Sequence, residues 1–217
     1  MSGMTSSPGD HAALMDRVYK GQRHIYDATR KYFLFGRDRL IDALDCAPGQ
    51  TVLELGCGTG RNLDRIARCW PGARLHGLDI SGEMLKNARA RLGSDALLAR
   101  GDATAFEPVA LFGRGVFDRV VLSFAVSMIP DWRAAVDHGL RSLAPGGSLR
   151  VVDFGDCADL PRPLRAGLQA WLARFHVVPR IDLGAAAIEL ASARGFAVAA
   201  HRGPLGYYQL VTVTRPR

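Results

Sequence analysis

The sequence predicts an α/β fold: a seven-stranded mixed sheet, mostly parallel, with helices on both faces and a helical cap at the N-terminus. Three observations predict it. From residue 51 onward, short apolar runs alternate with amphipathic helical stretches, and strands joined through helices pair in parallel and are covered on both sides. The last two apolar runs, 196–201 and 207–214, are separated only by the turn 203–206. That gap is too short for a crossover, so the sheet ends on a hairpin. Finally, the first strand runs directly into Gly56-Cys57-Gly58-Thr59-Gly60, a turn whose glycines tolerate positive φ and let a ligand approach the backbone closely.

The elements follow in order. Residues 1–10 form a Ser/Gly-rich tail without an apolar core, so no secretory signal is expected there. Residues 11–45 read as a helical cap of two amphipathic helices. Leu14, Val18 and Ile25 keep a helical spacing, Gly36 gives a break, and a second short helix runs through Leu40, Ile41 and Leu44. Residues 46–217 form the core. Its first strand is Thr51–Leu55, followed by a helix with Leu63, Ile66, Ala67 and Trp70 at i, i+3, i+4 and i+7. The second strand is Arg74–Asp79, and Ser81 is placed to cap a helix ending at Leu92. A weaker third strand spans 96–102 and a strongly apolar fourth 117–124, with a helix over 131–143. Pro145-Gly146-Gly147 reads as a turn into a fifth strand at 148–154. Helices over 163–177 and 183–194 precede the closing hairpin.

Composition narrows the function. With 217 residues, 48% of them hydrophobic and 23% charged, the chain suits one ordinary globular domain and excludes fibrous or wholly disordered classes. No apolar run approaches the ~20 residues of a membrane-spanning helix. The chain is expected in the cytoplasm, where Cys46, Cys57, Cys69 and Cys157 remain thiols. They read as small buried hydrophobes, and with no metal-like spacing to the histidines no metal is expected. The net charge of +7 is concentrated near the start: Arg17, Lys20, Arg23, Arg30, Lys31, Arg37 and Arg39 stand against Asp16, Asp27 and Asp38, interleaved with Tyr19, Tyr26, Tyr32, Phe33 and Phe35. Such a stretch is either a solvated helix packed on the core or a face turned to a membrane or substrate.

The glycine turn is spaced GxGxG. Arg61 breaks the GxGxxG pattern of dinucleotide binding, and no Gly-Lys-Ser/Thr ending marks a P-loop. Asp79, at the end of the second strand, can accept hydrogen bonds from ribose hydroxyls. Asp102, after the third, can meet an adenine amino group, and ligands in open α/β sheets sit at these carboxyl ends. Each aspartate alone is as readily a turn or helix cap. Their order and spacing carry the inference.

Together these features resemble the class I S-adenosylmethionine-dependent methyltransferases over residues 51–217. The resemblance implies strand order 3-2-1-4-5-7-6 with the seventh strand antiparallel, S-adenosylmethionine as methyl donor and S-adenosylhomocysteine as product. By that pattern Glu54, Gly56, Cys57, Gly58 and Gly60 surround the methionine portion and Asp79 holds the ribose. Ile80 and Met84 lie beside the adenine, Asp102 and Ala103 meet its edge, and Ser123 faces the sulfonium side.

The N-terminal part narrows the resemblance. Tyr19-Lys20, the run from Arg23 to Phe33, Gly36-Arg37-Asp38-Arg39-Leu40-Ile41, Gly60-Arg61-Asn62-Leu63 and Ser127-Met128-Ile129-Pro130-Asp131-Trp132 look like the bacterial diacylglyceryl-homoserine N-methyltransferases of betaine-lipid synthesis. This implies three methyl transfers to one lipid-borne amine. The acceptor would be a head group at an anionic leaflet, with the protein held peripherally on the inner face of the cell membrane. Only a neutral amine attacks, so a proton acceptor helps. No residue is singled out as that base: His24, Tyr26, Tyr32, Asp153 and Tyr207 are candidates. Tyr26, Arg30, Tyr32, Arg37, Phe124 and Ser127 are the candidate acceptor contacts. Arg30 or Arg37 would hold a carboxylate, of the acceptor or of the donor.

Three alternatives share the core motifs. One is methylation of another lipid or small molecule, such as phosphatidylethanolamine or a quinone precursor. Another is RNA methylation, suggested by the basic balance. Against it, Ser123-Phe124-Ala125-Val126 stands where an Asn/Asp-Pro-Pro-Tyr/Phe motif would be, so no nucleic-acid partner is expected. The third is a donor-binding module without catalysis. Oligomeric state is left open.

Overall fold

A computed structural model describes residues 36–175 and 177–217. Its seven strands are β1 (Thr51–Leu55), β2 (Arg74–Asp79), β3 (Ala96–Arg100), β4 (Phe117–Ser123), β5 (Leu143–Phe154), β6 (Ala197–Arg202) and β7 (Tyr208–Thr214). They form one sheet in the order β3-β2-β1-β4-β5-β7-β6. Pairing is parallel from β3 through β5, and β7 runs antiparallel to both β5 and β6. The expected order and the expected mixed edge are both present. The helices are α1 (Arg37–Asp42), α2 (Arg61–Cys69), α3 (Gly82–Leu92), α4 (Pro108–Phe112), α5 (Trp132–Arg141), α6 (Arg162–Ala173) and α7 (Leu183–Ser192).

Each face of the sheet has its own core. Leu40, Ile41, Leu63, Ile66, Leu85, Phe124, Phe154 and Tyr208 pack on one side. Leu53, Phe117, Val120, Trp132, Val136, Leu140, Leu183 and Val211 pack on the other. β1 is buried along its whole length, as expected of a central parallel strand covered on both faces, and its one charged residue, Glu54, is buried with it. The cap does not stand apart from this body at its C-terminal end: Leu40, Ile41 and Leu44 are fully buried in the first core, and Trp70 Nε1 donates to Ile41 O at 2.8 Å.

Several expectations are adjusted. Pro145-Gly146-Gly147 does not precede β5 but lies inside it. The register with β4 jumps between Phe117↔Leu143 and Arg119↔Ser148, a bulge that absorbs a proline unable to donate to the ladder. Helix α4 had no counterpart in the sequence reading. Cys69 is exposed, whereas Cys46, Cys57 and Cys157 are buried, because Cys69 ends α2 on its solvent side. Arg37, expected on a basic outward face, is only 6% exposed. His24, Tyr26, Arg30 and Tyr32, with the rest of residues 1–35, lie outside the described residues. Among the described residues no helix is long and apolar enough to cross a membrane.

Candidate functional site

The site lies along the carboxyl ends of β1, β2 and β4, where the strand order reverses. After Leu55 the chain turns through Gly56, Gly58 and Gly60, all at positive φ. Gly56 and Cys57 donate their N–H groups to Leu78 O at 2.8 and 3.0 Å, fastening the loop to the end of β2. A Cβ on Gly60 would stand 2.7 Å from Leu92 Cδ1 and 3.1 Å from Ala88 Cβ. The glycine is therefore what lets α2 begin against α3. A Cβ on Gly56 would stand 2.9 Å from that of Ala125, so β1 and the segment after β4 approach each other on glycine.

Asp79 closes this loop from below. Its carboxylate accepts the Gly58 N–H at 2.7 Å on one oxygen and the Ser81 N–H at 2.9 Å on the other. Ser81 in turn caps α3 by accepting the Met84 N–H at 3.3 Å. Buried Glu54 accepts from Asn62 Nδ2 at 2.6 Å. The sequence reading gave Asn62 no role. Asp102 Oδ1 accepts both the N–H and the hydroxyl of Thr104, forming the turn that holds its place after β3. Ala103 beside it is buried, and Ile80 is half-buried.

Two expected donor contacts are turned elsewhere. Cys57 is 5% exposed, and its Sγ faces the sheet, 2.9 Å from where a Cβ on Gly77 would be. Burial, with the Asp79 and Glu54 carboxylates adding to it, pushes its thiol well above the ordinary range. Its side chain belongs to the core. Met84 is buried in the same core.

The second half of the site is the loop after β4. Ser123 Oγ is buried with no hydrogen-bond partner. Phe124 follows at φ 52°, a conformation costly for a bulky residue. It is held there by its N–H bond to Val152 O at 2.7 Å and by packing edge-on against Phe154, ring centres 4.8 Å apart. Phe154 meets the Tyr207 ring at 6.0 Å. Met128, Trp171 and Phe175 belong to or pack against the same cluster, so the loop after β4 is backed by aromatic and thioether groups. Tyr207 is pushed up to about 12, first by burial and then by Cys157. Such a phenol stays protonated at neutral pH and would have to yield its proton before it could accept one.

The loop is clasped from two sides. Asp153, fully buried, accepts the Ser127 N–H at 3.0 Å and the Phe154 N–H at 2.7 Å. Burial pushes its carboxyl up to about 6, with the hydrogen bonds from Ser127, Phe154 and Val126 pulling it back. On the other side Val178 donates to Ser127 O at 2.9 Å, and Arg180 donates to Val126 O and Ile129 O at 3.3 and 3.0 Å. Gln209 fixes this strap by donating to Arg180 O at 2.6 Å and Phe154 O at 3.1 Å. Arg180 and Gln209 were not foreseen. Asp153, one of the five candidate bases, is enclosed and holds the loop's backbone.

A donor carrying a ribose and a cationic sulfur fits this arrangement. The glycine cradle excludes side chains where such a molecule would lie, Asp79 places a carboxylate beside it at the end of β2, and Ser123 offers a buried hydroxyl with no hydrogen-bond partner among the described residues. Comparison with known proteins agrees. A family model described as a methyltransferase domain matches residues 52–147. The ubiquinone/menaquinone biosynthesis C-methyltransferase UbiE of Enterobacter sp. (strain 638) is 30% identical over 184 residues, 82% of this chain and 72% of that protein. The chain belongs to the class I S-adenosylmethionine-dependent methyltransferase family. This methyltransferase is also similar to the demethylmenaquinone methyltransferase of Beutenbergia cavernae, 33% identical over 156 residues, 70% of this chain. The match spans 60% of the Beutenbergia protein's own length. In fold it is similar to Haemonchus contortus phosphoethanolamine N-methyltransferase 2 solved with S-adenosyl-L-methionine. The TM-score is 0.72 with 16% identity, over 100% of this chain and 62% of that one.

Proposed function

We propose that this methyltransferase uses S-adenosylmethionine to methylate a ring carbon of a reduced, lipid-soluble quinone precursor. The observation that carries this is the similarity over most of the chain to curated C-methyltransferases of quinone biosynthesis, with half-buried Tyr207 and Met128 as the ring and thioether groups partly open beside the loop after β4. A flat ring stacks favourably on such groups. Curated relatives named for quinone methylation support the same acceptor class.

When bound, the donor would supply an electrophilic methyl carbon: the ring carbon bonds to it as the sulfur–methyl bond breaks, and the ring regains aromaticity as that carbon's proton leaves to solvent. The protein's part is alignment and exclusion of water. Asp79 and the glycine loop would hold the donor's ribose and methionine ends, with the Ser123 hydroxyl turned toward the sulfur side. Half-buried Met128 would meet the ring, and Phe124 and Phe154, buried behind the loop, keep its floor dry. Asp153 fixes Ser127 and hence the loop that carries Phe124. The head-group amine expected from residues 19–41 draws no support from the named relatives, and those residues lie largely outside the described structure.

The test is transfer of radiolabelled methyl to a demethylated naphthoquinol, to diacylglyceryl-homoserine and to phosphatidylethanolamine in parallel. Label in the quinol ring is the expected outcome. Label in either lipid amine and none in the ring would sink the proposal.

A further inference from the structure

We infer that the outer side of α6, with the chain that follows it to Ile181, is a docking face for an anionic lipid bilayer. Between residues 160 and 181 the chain carries Arg162, Arg165, Arg174 and Arg180 and no Asp or Glu. Arg162 and Arg174 are exposed. Neither they nor Arg165 enter an ion pair among the described residues, whereas Arg202 nearby binds both Asp156 and Asp159. The arginines of α6 thus present uncompensated positive charge.

The apolar pattern of the helix points the same way. Leu164, Leu168, Trp171, Leu172 and Phe175 form one stripe at i, i+4, i+7, i+8 and i+11. Leu172 and Phe175 are buried in the core, while Leu168 and Trp171 are only half-buried. Leu164 is 62% exposed. The stripe therefore runs on past the protein's own core. Val178 and Ile181, beyond the helix, are 53% and 72% exposed. An amphipathic helix with arginine heads, a tryptophan and exposed aliphatic groups is the composition that settles at a membrane interface. A leaflet of anionic lipid supplies the negative charge that these arginines lack.

The position of this face gives it a purpose. The Val178 bond to Ser127 O and the Arg180 bonds to Val126 O and Ile129 O attach the segment to the acceptor-side loop. Docking through α6 brings that end of the sheet to the surface in which a lipid-soluble acceptor is dissolved. This deepens the proposed function and rests on it for its purpose, but vesicles free of any acceptor read the docking by itself.

The experiment is co-sedimentation of the full chain with phosphatidylcholine vesicles, with and without phosphatidylglycerol, with donor binding as the check that each variant is folded. The wild type is expected to pellet with the anionic vesicles only. R162E/R174E is expected to lower the apparent partition about 20-fold or more, and Leu164→Asp to lower it as well. The charge-matched K86E/R89E on exposed positions of α3 is expected to leave it within about twofold. Equal loss in both double variants would reduce the effect to net charge and overturn the inference. Wild-type binding by R162E/R174E would overturn it too, as would equal pelleting with both vesicle types. An RNA oligomer that displaces the wild type from vesicles but not the K86E/R89E protein would reassign α3, and one that binds through Arg162 and Arg174 in place of vesicles would refute a lipid partner.

Discussion

The carboxylate of Asp153 accepts the backbone N–H of Ser127 at 3.0 Å from a fully buried position at the end of β5. That bond ties the strand to the loop carrying Phe124, and it places an ionisable group under the site without exposing it to substrate. Burial holds the carboxyl at about 6 against 3.8 unperturbed. Because the folded value is the higher, protonation favours the folded state. The stability tied to this group is full below about pH 4 and is lost as pH rises through about 6. The loss amounts to about 3 kcal/mol at neutral pH. Asp153→Asn removes the titration but offers one acceptor where two N–H groups need one, which costs about 1–3 kcal/mol. Urea unfolding of both proteins from pH 4.5 to 8, where the range is set at roughly the span of the two values, checks this. The wild type should lose stability relative to the variant up to about pH 6 and run parallel above it. A constant difference across the range would show that Asp153 keeps an ordinary carboxyl.

Gly60 sits at φ 73° with Leu92 and Ala88 closing the space where a Cβ would go. Gly60→Ala adds the strain of a left-handed conformation to an overlap and is expected to cost about 1–3 kcal/mol of stability. Donor affinity should fall about tenfold or more as the cradle shifts, since 1.4 kcal/mol is tenfold. Equilibrium dialysis with S-adenosylhomocysteine measures the second effect. Leu92→Ala costs its own buried methyl groups but removes the nearest overlap, so the double variant should lose less stability than the sum of the two single losses.

Asp79 bonds Gly58 on one oxygen and Ser81 on the other. Asp79→Asn can satisfy only one of the two, and it replaces an anion that favours ribose hydroxyl donors by a neutral amide. Donor affinity is expected to fall about 10- to 100-fold, the range of a lost charged hydrogen bond. Thermal midpoints should drop by only a few degrees, roughly what about 1 kcal/mol produces in a chain this size. Calorimetric titration of the donor product gives the number. Unchanged affinity would mean that Asp79 serves the loop alone.

Much of this was legible in the sequence because it is local. The glycine turn, Asp79 and the Ser81 cap occupy fixed offsets from strand ends, so spacing alone exposes them. The buried central strands read as apolar runs. The elements that blurred are those where burial gives no pattern: β3 and β6 are the sheet's outer strands and largely solvent-facing, and α4 spans five residues, too few to show a period. The strap was invisible for another reason. Arg180 reaches back 51 residues to Ile129, and Gln209 reaches back 29 to Arg180. Such pairs exist only once the chain has folded. The positive φ of Phe124 likewise has no sequence signature, since the strand context alone suggests an extended residue.

Phe154 joins two aromatic partners at the loop after β4, with ring centres 4.8 Å from Phe124 and 6.0 Å from Tyr207. Phe154→Leu keeps an apolar group but removes both edge contacts, worth about 0.5–1.5 kcal/mol each beyond area. Because both contacts are internal to the core, the expected loss is one of stability, about 1–3 kcal/mol by urea unfolding. Donor affinity should be unchanged, because Phe154 contributes nothing to the glycine cradle. Tyr207→Phe retains the ring and removes a hydroxyl held at about 12. Methyl-transfer rate should then keep the wild-type pH profile from pH 6 to 9, roughly the window in which neither ring ionises. Urea unfolding and steady-state kinetics on a naphthoquinol separate the two roles: stability moves with Phe154, and nothing titrates with Tyr207. A profile that loses a limb in the Tyr207→Phe protein would make that phenol a proton acceptor after all.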